Sequence, residues 1–244
     1  MSPPRFHVPE AAPGARVTLP DHAAHHAREV LRLRSGAPVL VFDGRGSEYS
    51  AVLDTVTRRT VDARLGAAVA PRPESPLRVV LALSPLKGDR MEVVIQKATE
   101  LGVSEIRPVV TARTDAVARP ALRGSRQERW DKVASGAAEQ CGRAVVPRVA
   151  PASTLDLLLT EPLDGLRLLL LETQSQPPLA TLQGPAPDTV WLLLGPAGGW
   201  EPSEAERIQR AGFVPVSLGP RILRAETAAI AAVTLVQALW GDLR

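Results

Sequence analysis

Leu192-Leu193-Leu194-Gly195-Pro196-Ala197-Gly198-Gly199-Trp200 is an apolar strand that opens into a glycine-rich loop ahead of a helix. A short, continuously apolar run of this kind suits a parallel sheet covered on both faces. Glycines behind such a strand let the backbone approach a ligand closely at the carboxyl edge of the sheet. The loop is not G-x-G-x-x-G, so it matches a dinucleotide fingerprint poorly, and an ordinary tight turn is the competing reading. A second stretch, Val216-Ser217-Leu218-Gly219-Pro220-Arg221-Ile222-Leu223-Arg224-Ala225-Glu226-Thr227, gives a strand, a glycine-proline turn, two arginines three apart and a helix start. Two arginines before an apolar helix are costly unless they are solvated or meet an anion. A third loop, Glu172 to Pro178, follows a strand ending at Leu171. Three such loops at adjacent strand ends predict a cofactor pocket.

The pattern around these loops is strand and helix in alternation, which indicates an α/β domain with a parallel sheet. Arg78 to Leu83 reads as a strand. Met91, Val94, Ile95, Ala98 and Leu101 fall at helical spacing, and Gly102 is a stop. Ile106 to Val110 is a strand, and the basic segment Arg113 to Lys132 leads into a helix ending near Cys141-Gly142. Ser153 is placed to cap a helix through Leu159. Leu166 to Leu171, Val190 to Leu194 and Phe213 to Leu218 are strands, with a Ser203/Glu206 capping box and Gly212 bounding the helix between the last two. The final helix, about Ala225 to Trp240, carries no charge from Thr227 onward. It is either a central core helix or one packed against a second subunit.

The first seventy residues differ. Arg16 to Leu19, Pro38 to Phe42, Glu48 to Leu53 and Thr60 to Leu65 read as short strands, with Asp21 capping a helix through Leu33. Asp43-Gly44-Arg45-Gly46 is a hairpin turn. Short strands with tight turns predict a small barrel. The proline-rich Pro71 to Pro76 is a stiff linker, so the expected domains are 1–72 and 73–244.

Composition narrows the function. Of 244 residues 45% are hydrophobic and 23% charged, enough apolar material for a core. No apolar run approaches the ~18–20 residues of a membrane span, and Met1 to Pro13 lacks a signal-peptide h-region, so a cytoplasmic protein is expected. One cysteine, Cys141, closes no intramolecular disulfide, and no zinc cluster is evident. All four histidines lie within the first twenty-six residues, outside the α/β domain, which argues against a histidine-based hydrolase there. His22 and His26 sit at i and i+4, but no third ligand accompanies them, so no metal is expected. There is no P-loop sequence. Lys+Arg number 29 against 26 Asp+Glu. Net charge is +3 over residues 1–72, +4 over 73–150 and −4 over 151–244. A basic front joined to an acidic last third is the asymmetry expected where one surface meets a polyanion.

Taken with these features, Gly195-Pro196-Ala197-Gly198-Gly199 and Ser217-Leu218-Gly219-Pro220-Arg221-Ile222-Leu223-Arg224-Ala225-Glu226-Thr227-Ala228 resemble the cofactor-loop motifs of the RsmE family of ribosomal RNA uridine-N3 methyltransferases, of the SPOUT class. Lys87-Gly88-Asp89-Arg90-Met91-Glu92, Gln96-Lys97-Ala98-Thr99-Glu100-Leu101-Gly102-Val103 and Ala138-Glu139-Gln140-Cys141-Gly142-Arg143 match as well. So do His26-Ala27-Arg28-Glu29-Val30-Leu31-Arg32-Leu33 and Phe42-Asp43-Gly44, so the resemblance covers nearly the whole chain. One position departs: the family's glycine loop usually carries Glu where this chain has Ala197.

The resemblance implies a PUA-like β-barrel followed by a SPOUT α/β domain with a trefoil knot. It also implies a homodimer through the C-terminal domain, and S-adenosylmethionine as cofactor. The cofactor residues it implies are Glu172, Leu194, Gly195, Gly198, Gly199, Leu218, Gly219, Ile222, Leu223, Arg224 and Thr227. The implied substrate is a uridine of 16S rRNA or the small ribosomal subunit. Deprotonating uracil N3 creates an anion that a guanidinium stabilises, so Arg221 and Arg224 are the catalytic candidates; pairing with Glu226 or capping loop carbonyls is the alternative use for either. Phosphate contacts are expected from Arg5, Arg32, Arg34, Lys87, Arg90, Lys97 and Arg143. With eight aromatics in the chain, base stacking is a minor grip and binding should depend on salt. A non-catalytic RNA-binding assembly factor with a degenerate SPOUT fold is the rival reading, and a nucleotide-dependent oxidoreductase a weaker third.

Overall fold

The structure, a computed structural model, describes residues 3–114, 126–172 and 175–243. The chain forms two compact units, Met1–Glu74 with Ser135–Val146, and Ser75–Ala134 with Pro147–Arg244.

The first unit is a curled five-stranded sheet. Its strands are β1 (Arg5–His7), β2 (Arg16–Thr18), β3 (Pro38–Phe42), β4 (Glu48–Val56) and β5 (Val61–Val69), in the order β1-β3-β4-β5-β2. The β1–β3 pair is parallel and the other pairs antiparallel. Register shifts between Tyr49 and Ala51 and between Leu53 and Thr55 bend β4, the usual way a sheet curls. Phe6, Val39, Val41, Leu53, Val61 and Leu65 fill the inside. The β3–β4 turn forms where the sequence puts it. Gly44 and Gly46 adopt φ +75° and +108°, and the Asp43 carboxylate accepts from the Arg45 and Ser47 amides at 2.8 and 3.0 Å.

Two expectations for this unit change. The helix is α1 (Asp21–His25) running into a π-helical turn, His26–Val30, and it stops short of Leu33 because Arg32 turns to φ +52°. Pro20 holds the N-cap position and Asp21 is the first helical residue, where its charge favours the helix end without capping it. Strand β1 has three residues, too few for alternation to reveal it.

The second unit is built on a wholly parallel sheet. Along the chain come β6 (Arg78–Leu83), α2 (Arg90–Glu100), β7 (Glu105–Val110) and α3 (Gln127–Cys141, counted with the first unit from Ser135 on). Next are β8 (Arg148–Val149), β9 (Ser153–Thr154), α4 (Leu155–Thr160) and β10 (Leu166–Leu170). A 3₁₀ turn (Leu179–Thr181), β11 (Thr189–Leu194), α5 (Pro202–Arg210), β12 (Val214–Val216) and α6 (Ala225–Trp240) complete it. The main sheet runs β12-β10-β11-β6-β7-β8, and β9 pairs with β7. Strands β6 and β11 are buried almost throughout, as their unbroken apolar sequences require.

Local corrections follow from side-chain geometry. Thr154, not Ser153, caps α4, its hydroxyl accepting from the Leu157 amide at 3.3 Å. The capping box of α5 is Glu201 with Glu204, with Pro202 in the first turn, two residues earlier than Ser203 and Glu206. The last strand shortens to Val214–Val216 because Ser217 leaves the sheet and bonds to the loop after β10. Its amide donates to Pro177 O, and its hydroxyl to Gln176 O.

Helix α6 packs on α2, β6, β11 and the 3₁₀ turn, burying Ala229, Ala232, Val233, Val236 and Trp240. Its buried polar residue, Gln237, donates to Leu101 O at 2.8 Å and accepts from the Ser75 hydroxyl at 2.8 Å. One face is therefore core, while Thr227, Thr234 and Ala238 are exposed. Among the described residues no helix is long and apolar enough to cross a membrane.

Candidate cofactor and RNA site

Parallel strands all present their carboxyl ends at one edge, and there β10, β11 and β12 release the three loops quoted above. Together with the segment after β6 they enclose a cavity of about 980 Å³ in the second unit. Its walls are Leu170–Glu172 after β10, Leu194–Trp200 after β11, and Leu218, Gly219 and Arg221–Glu226 after β12. Pro85, Leu86, Lys87 and Arg90 close a further side, and Arg113 reaches in from the end of β7. An open α/β sheet binds ligands at this kind of edge.

The glycine loop has its shape for identifiable reasons. A Cβ on Gly195 would lie 2.8 Å from the Trp200 indole, so the ring packs directly on the backbone. The same indole donates its Nε1–H to Leu170 O at 3.3 Å, tying the β11 loop to the end of β10. Gly199 sits at φ +70° and its amide bonds back to Pro196 O at 2.9 Å, closing the turn. On the far side Arg113 donates to Gly198 O at 3.1 Å and to the Glu201 carboxylate at 2.7 Å. Gly219, at φ +99°, supplies the bend that starts the third loop.

Charge is arranged around this backbone frame. Arg224 stands at the N-cap of α6 with no side-chain cap bond, so the positive end of a sixteen-residue helix faces the cavity beside it. Arg221 and Arg224 are exposed and make no side-chain hydrogen bond or ion pair among the described residues. Glu226 instead pairs with Arg90, Nε to Oε1 at 3.8 Å. The apolar lining comes from Leu86, Leu171, Leu194, Leu218, Ile222 and Leu223, with Ile222 79% exposed.

Of the cofactor residues expected from sequence, Glu172, Leu194, Gly195, Gly198, Gly199, Leu218, Gly219, Ile222, Leu223 and Arg224 all line this cavity. Thr227 does not; it is the third residue of α6 and is exposed. Positions 173 and 174 of the third loop, and 115–125 of the basic segment, fall outside the described residues. Arg113 and Trp200 were missed as site residues. Trp200 sits inside the glycine-loop motif, but Arg113 comes from a strand remote in sequence, and no local pattern marks it.

The expected phosphate contacts divide. Lys87 and Arg90 stand on the cavity wall. Lys97 lies two turns along α2 and is paired with Glu100 at 2.9 Å. Arg32 and Arg34 are exposed on the first unit. Arg5 and Arg143 are corrections. The Arg5 side chain is 10% exposed, pairs with buried Glu48 at 2.7 Å, and donates to Ala138 O and Arg143 O at 3.1 Å each. Arg143 is 11% exposed and pairs with Glu74 at 2.7 Å. Both guanidiniums are consumed inside the first unit.

Among the described residues there is no group of three His, Cys, Asp or Glu side chains placed to hold a metal.

Residues 73–237 match the model of an RNA methyltransferase domain, and residues 19–66 that of an RNA methyltransferase PUA domain. The chain is 36% identical to the ribosomal RNA small subunit methyltransferase E of Synechocystis over 95% of its length and 76% of that protein's. It is 30% identical to the enzyme of the same name from Bacillus subtilis, over 96% of this chain and 94% of the relative. The crystal structure of the Neisseria gonorrhoeae ribosomal RNA small subunit methyltransferase E bound to S-adenosyl methionine superposes with a TM-score of 0.88 at 36% identity. It covers 99% of this chain and all of that one. The PUA-type sheet, the parallel α/β unit and the loops at its carboxyl edge therefore have one explanation: the chain belongs to the ribosomal RNA small subunit methyltransferase E family.

Proposed function

We propose that this protein is an S-adenosylmethionine-dependent methyltransferase acting on N3 of a uridine in 16S rRNA. The observation that carries the reading is the cavity of about 980 Å³ walled by two glycine-bearing loops, with two arginines at its rim that pair with no carboxylate among the described residues.

The residues present fit the cofactor. Gly195 lines the cavity with Trp200 packed where its side chain would stand, so the loop runs close along the wall, and the leucines give an apolar lining. Leu194–Gly199 and Leu218–Leu223 would hold the adenosine and its substituents, with Glu172 at the third side. When bound, S-adenosylmethionine supplies a sulfonium methyl group open to nucleophilic displacement. The chain's own contribution is placement and electrostatics. Fixing two reactants in contact is worth up to ~7–11 kcal/mol in favourable cases. Arg221 and Arg224, unencumbered by Glu226, are available to hold the uracil oxygens and stabilise the N3 anion that develops as its proton leaves. The positive end of α6 acts in the same direction.

The wider reading assigns residues 1–72 to a PUA-like RNA-binding domain and 73–244 to the SPOUT methyltransferase domain. A trefoil knot there belongs to the same reading, by likeness to the family; the bonds of Ser217 to the loop after β10 bring two of the cavity loops side by side. The exposed, uncharged face of α6 supports a homodimer, and rRNA as substrate supports a cytoplasmic location. Incubating the purified protein with small subunits or 16S rRNA and the cofactor should place one methyl group on a uridine N3, read by mass mapping. Calorimetry showing no cofactor binding would favour the non-catalytic RNA-binding reading.

A further inference from the structure

We infer that Arg113 is a positioning residue for the cofactor loop, a role that rests on the methyltransferase reading above. It follows β7, and its guanidinium spans the far side of the glycine loop. Nη1 donates to Gly198 O at 3.1 Å and Nε to Glu201 Oε1 at 2.7 Å. These two contacts bracket Gly199 and Trp200, the stretch through which the loop turns back into α5. A second bond from the same strand end reinforces the first: the Ala112 amide donates to the buried Glu204 carboxylate at 2.8 Å. Glu201 and Glu204 are the two halves of the α5 capping box, so the end of β7 holds both the loop and the helix start.

A loop with Gly195, Gly198 and Gly199 has a large conformational freedom to lose when it closes on a ligand. An anchor already in place lowers that ordering cost and so strengthens binding without touching the ligand. Trp200 on Leu170 O anchors one wall, and Arg113 anchors the other. With Nε and Nη1 held by Glu201 and Gly198, Arg113 fixes the loop from its far side, and that fixing is the role inferred here. The fork matters as well as the charge, since a lysine ammonium does not reproduce two divergent planar donors.

The test is calorimetric binding of S-adenosylmethionine and of its demethylated product to wild type, Arg113→Ala, Arg113→Lys and Glu201→Gln. Thermal unfolding and hydrogen exchange of the loop amides are recorded for each. Both arginine variants should raise Kd about tenfold, the scale of a lost charge-assisted hydrogen bond. Glu201→Gln should weaken binding in the same direction, and exchange should rise at residues 198–201 with the unfolding temperature nearly constant. Equal Kd in all four proteins overturns the inference. So does retention of affinity by Arg113→Lys, or a gain in Glu201→Gln, since either marks Arg113 as a direct charge contact. If the wild type itself binds no cofactor, the methyltransferase reading fails first, and the two failures are distinguishable.

Discussion

Glu226 faces Arg90 at 3.8 Å, the partner lying on α2 and not on the arginine-bearing loop just before it in sequence. That one relationship removes the obvious structural use for Arg221 and Arg224. Arg221 and Arg224 stand five and two residues before Glu226, close enough for it to neutralise either; here the carboxylate is engaged elsewhere, and the two guanidiniums stay solvated beside the cavity.

Arg224→Ala should therefore abolish methylation while the fold persists. Loss of one charge-stabilising donor costs about 10²–10³ in kcat where it acts on the transition state. Arg224 caps α6 through its backbone alone, so alanine removes no cap bond. Arg221→Ala should lower kcat in the same sense. Single-turnover methyl transfer on rRNA with saturating cofactor is the measurement, and undiminished turnover in both variants discards the role.

Gly195→Ala should disturb the cofactor cavity through Trp200. A methyl there would sit 2.8 Å from the indole, which must move and give up its bond to Leu170 O. Overpacking of this kind costs ~1–3 kcal/mol, or roughly five- to 150-fold in cofactor Kd where it falls on the binding-competent state. Tryptophan fluorescence and calorimetry read the two halves of the effect. Normal affinity with an unshifted emission spectrum would show that the contact is soft.

How much of this was legible in the sequence depends on range. Pro38 to Phe42, Arg78 to Leu83 and Ala225 to Trp240 coincide with their elements because the length and apolar content of each run are local signals of a buried strand or helix. The cavity loops were visible too, since glycines behind apolar strands are local signals. Arg113 was missed and Arg5 misread for the same physical reason. Each is a cation whose role is set by groups far along the chain, Glu201 in one case and Glu48 in the other, and a charge in sequence carries no record of its partner. The capping box shifted from Ser203/Glu206 to Glu201/Glu204 because a carboxylate also accepts from helix-end amides, and Pro202 fixes the first turn two residues earlier.

Arg5→Ala and the double variant Arg32→Ala, Arg34→Ala should separate structure from RNA contact. Removing Arg5 leaves Glu48 buried without its cation and several carbonyls without a donor, a loss of about 3–5 kcal/mol for a broken buried pair. Denaturant unfolding should show it. Arg32 and Arg34 are exposed, so their loss should spare stability and weaken rRNA binding. If both touch phosphates, the slope of log K against log salt should flatten by roughly 0.7–0.9 for each contact. A stable Arg5 variant, or an unchanged salt slope in the double variant, contradicts the respective assignment.

Glu139 supplies a prediction in pH. Burial pushes its carboxyl up from 4.5 to about 7, against the lowering effects of the His7 amide, which donates to it at 2.8 Å, and of Arg5. The folded state thus binds a proton that the unfolded chain has released, so stability falls as pH rises from about 4.5 to about 7 and levels off above. The slope is at most roughly 1.4 kcal/mol per pH unit. Its neighbour His7 works the other way. Burial lowers the imidazole below its usual value, so that group favours folding as pH rises through its range, while its Nδ1 shares a hydrogen with Ser135 Oγ at 2.7 Å. Glu139→Gln keeps an acceptor for the His7 amide and removes the titration. Relative to the variant, the wild type should lose stability steadily between pH 5 and 7 in urea unfolding followed by fluorescence. Parallel pH curves for the two proteins would mean that Glu139 is solvated and ionised in the folded state.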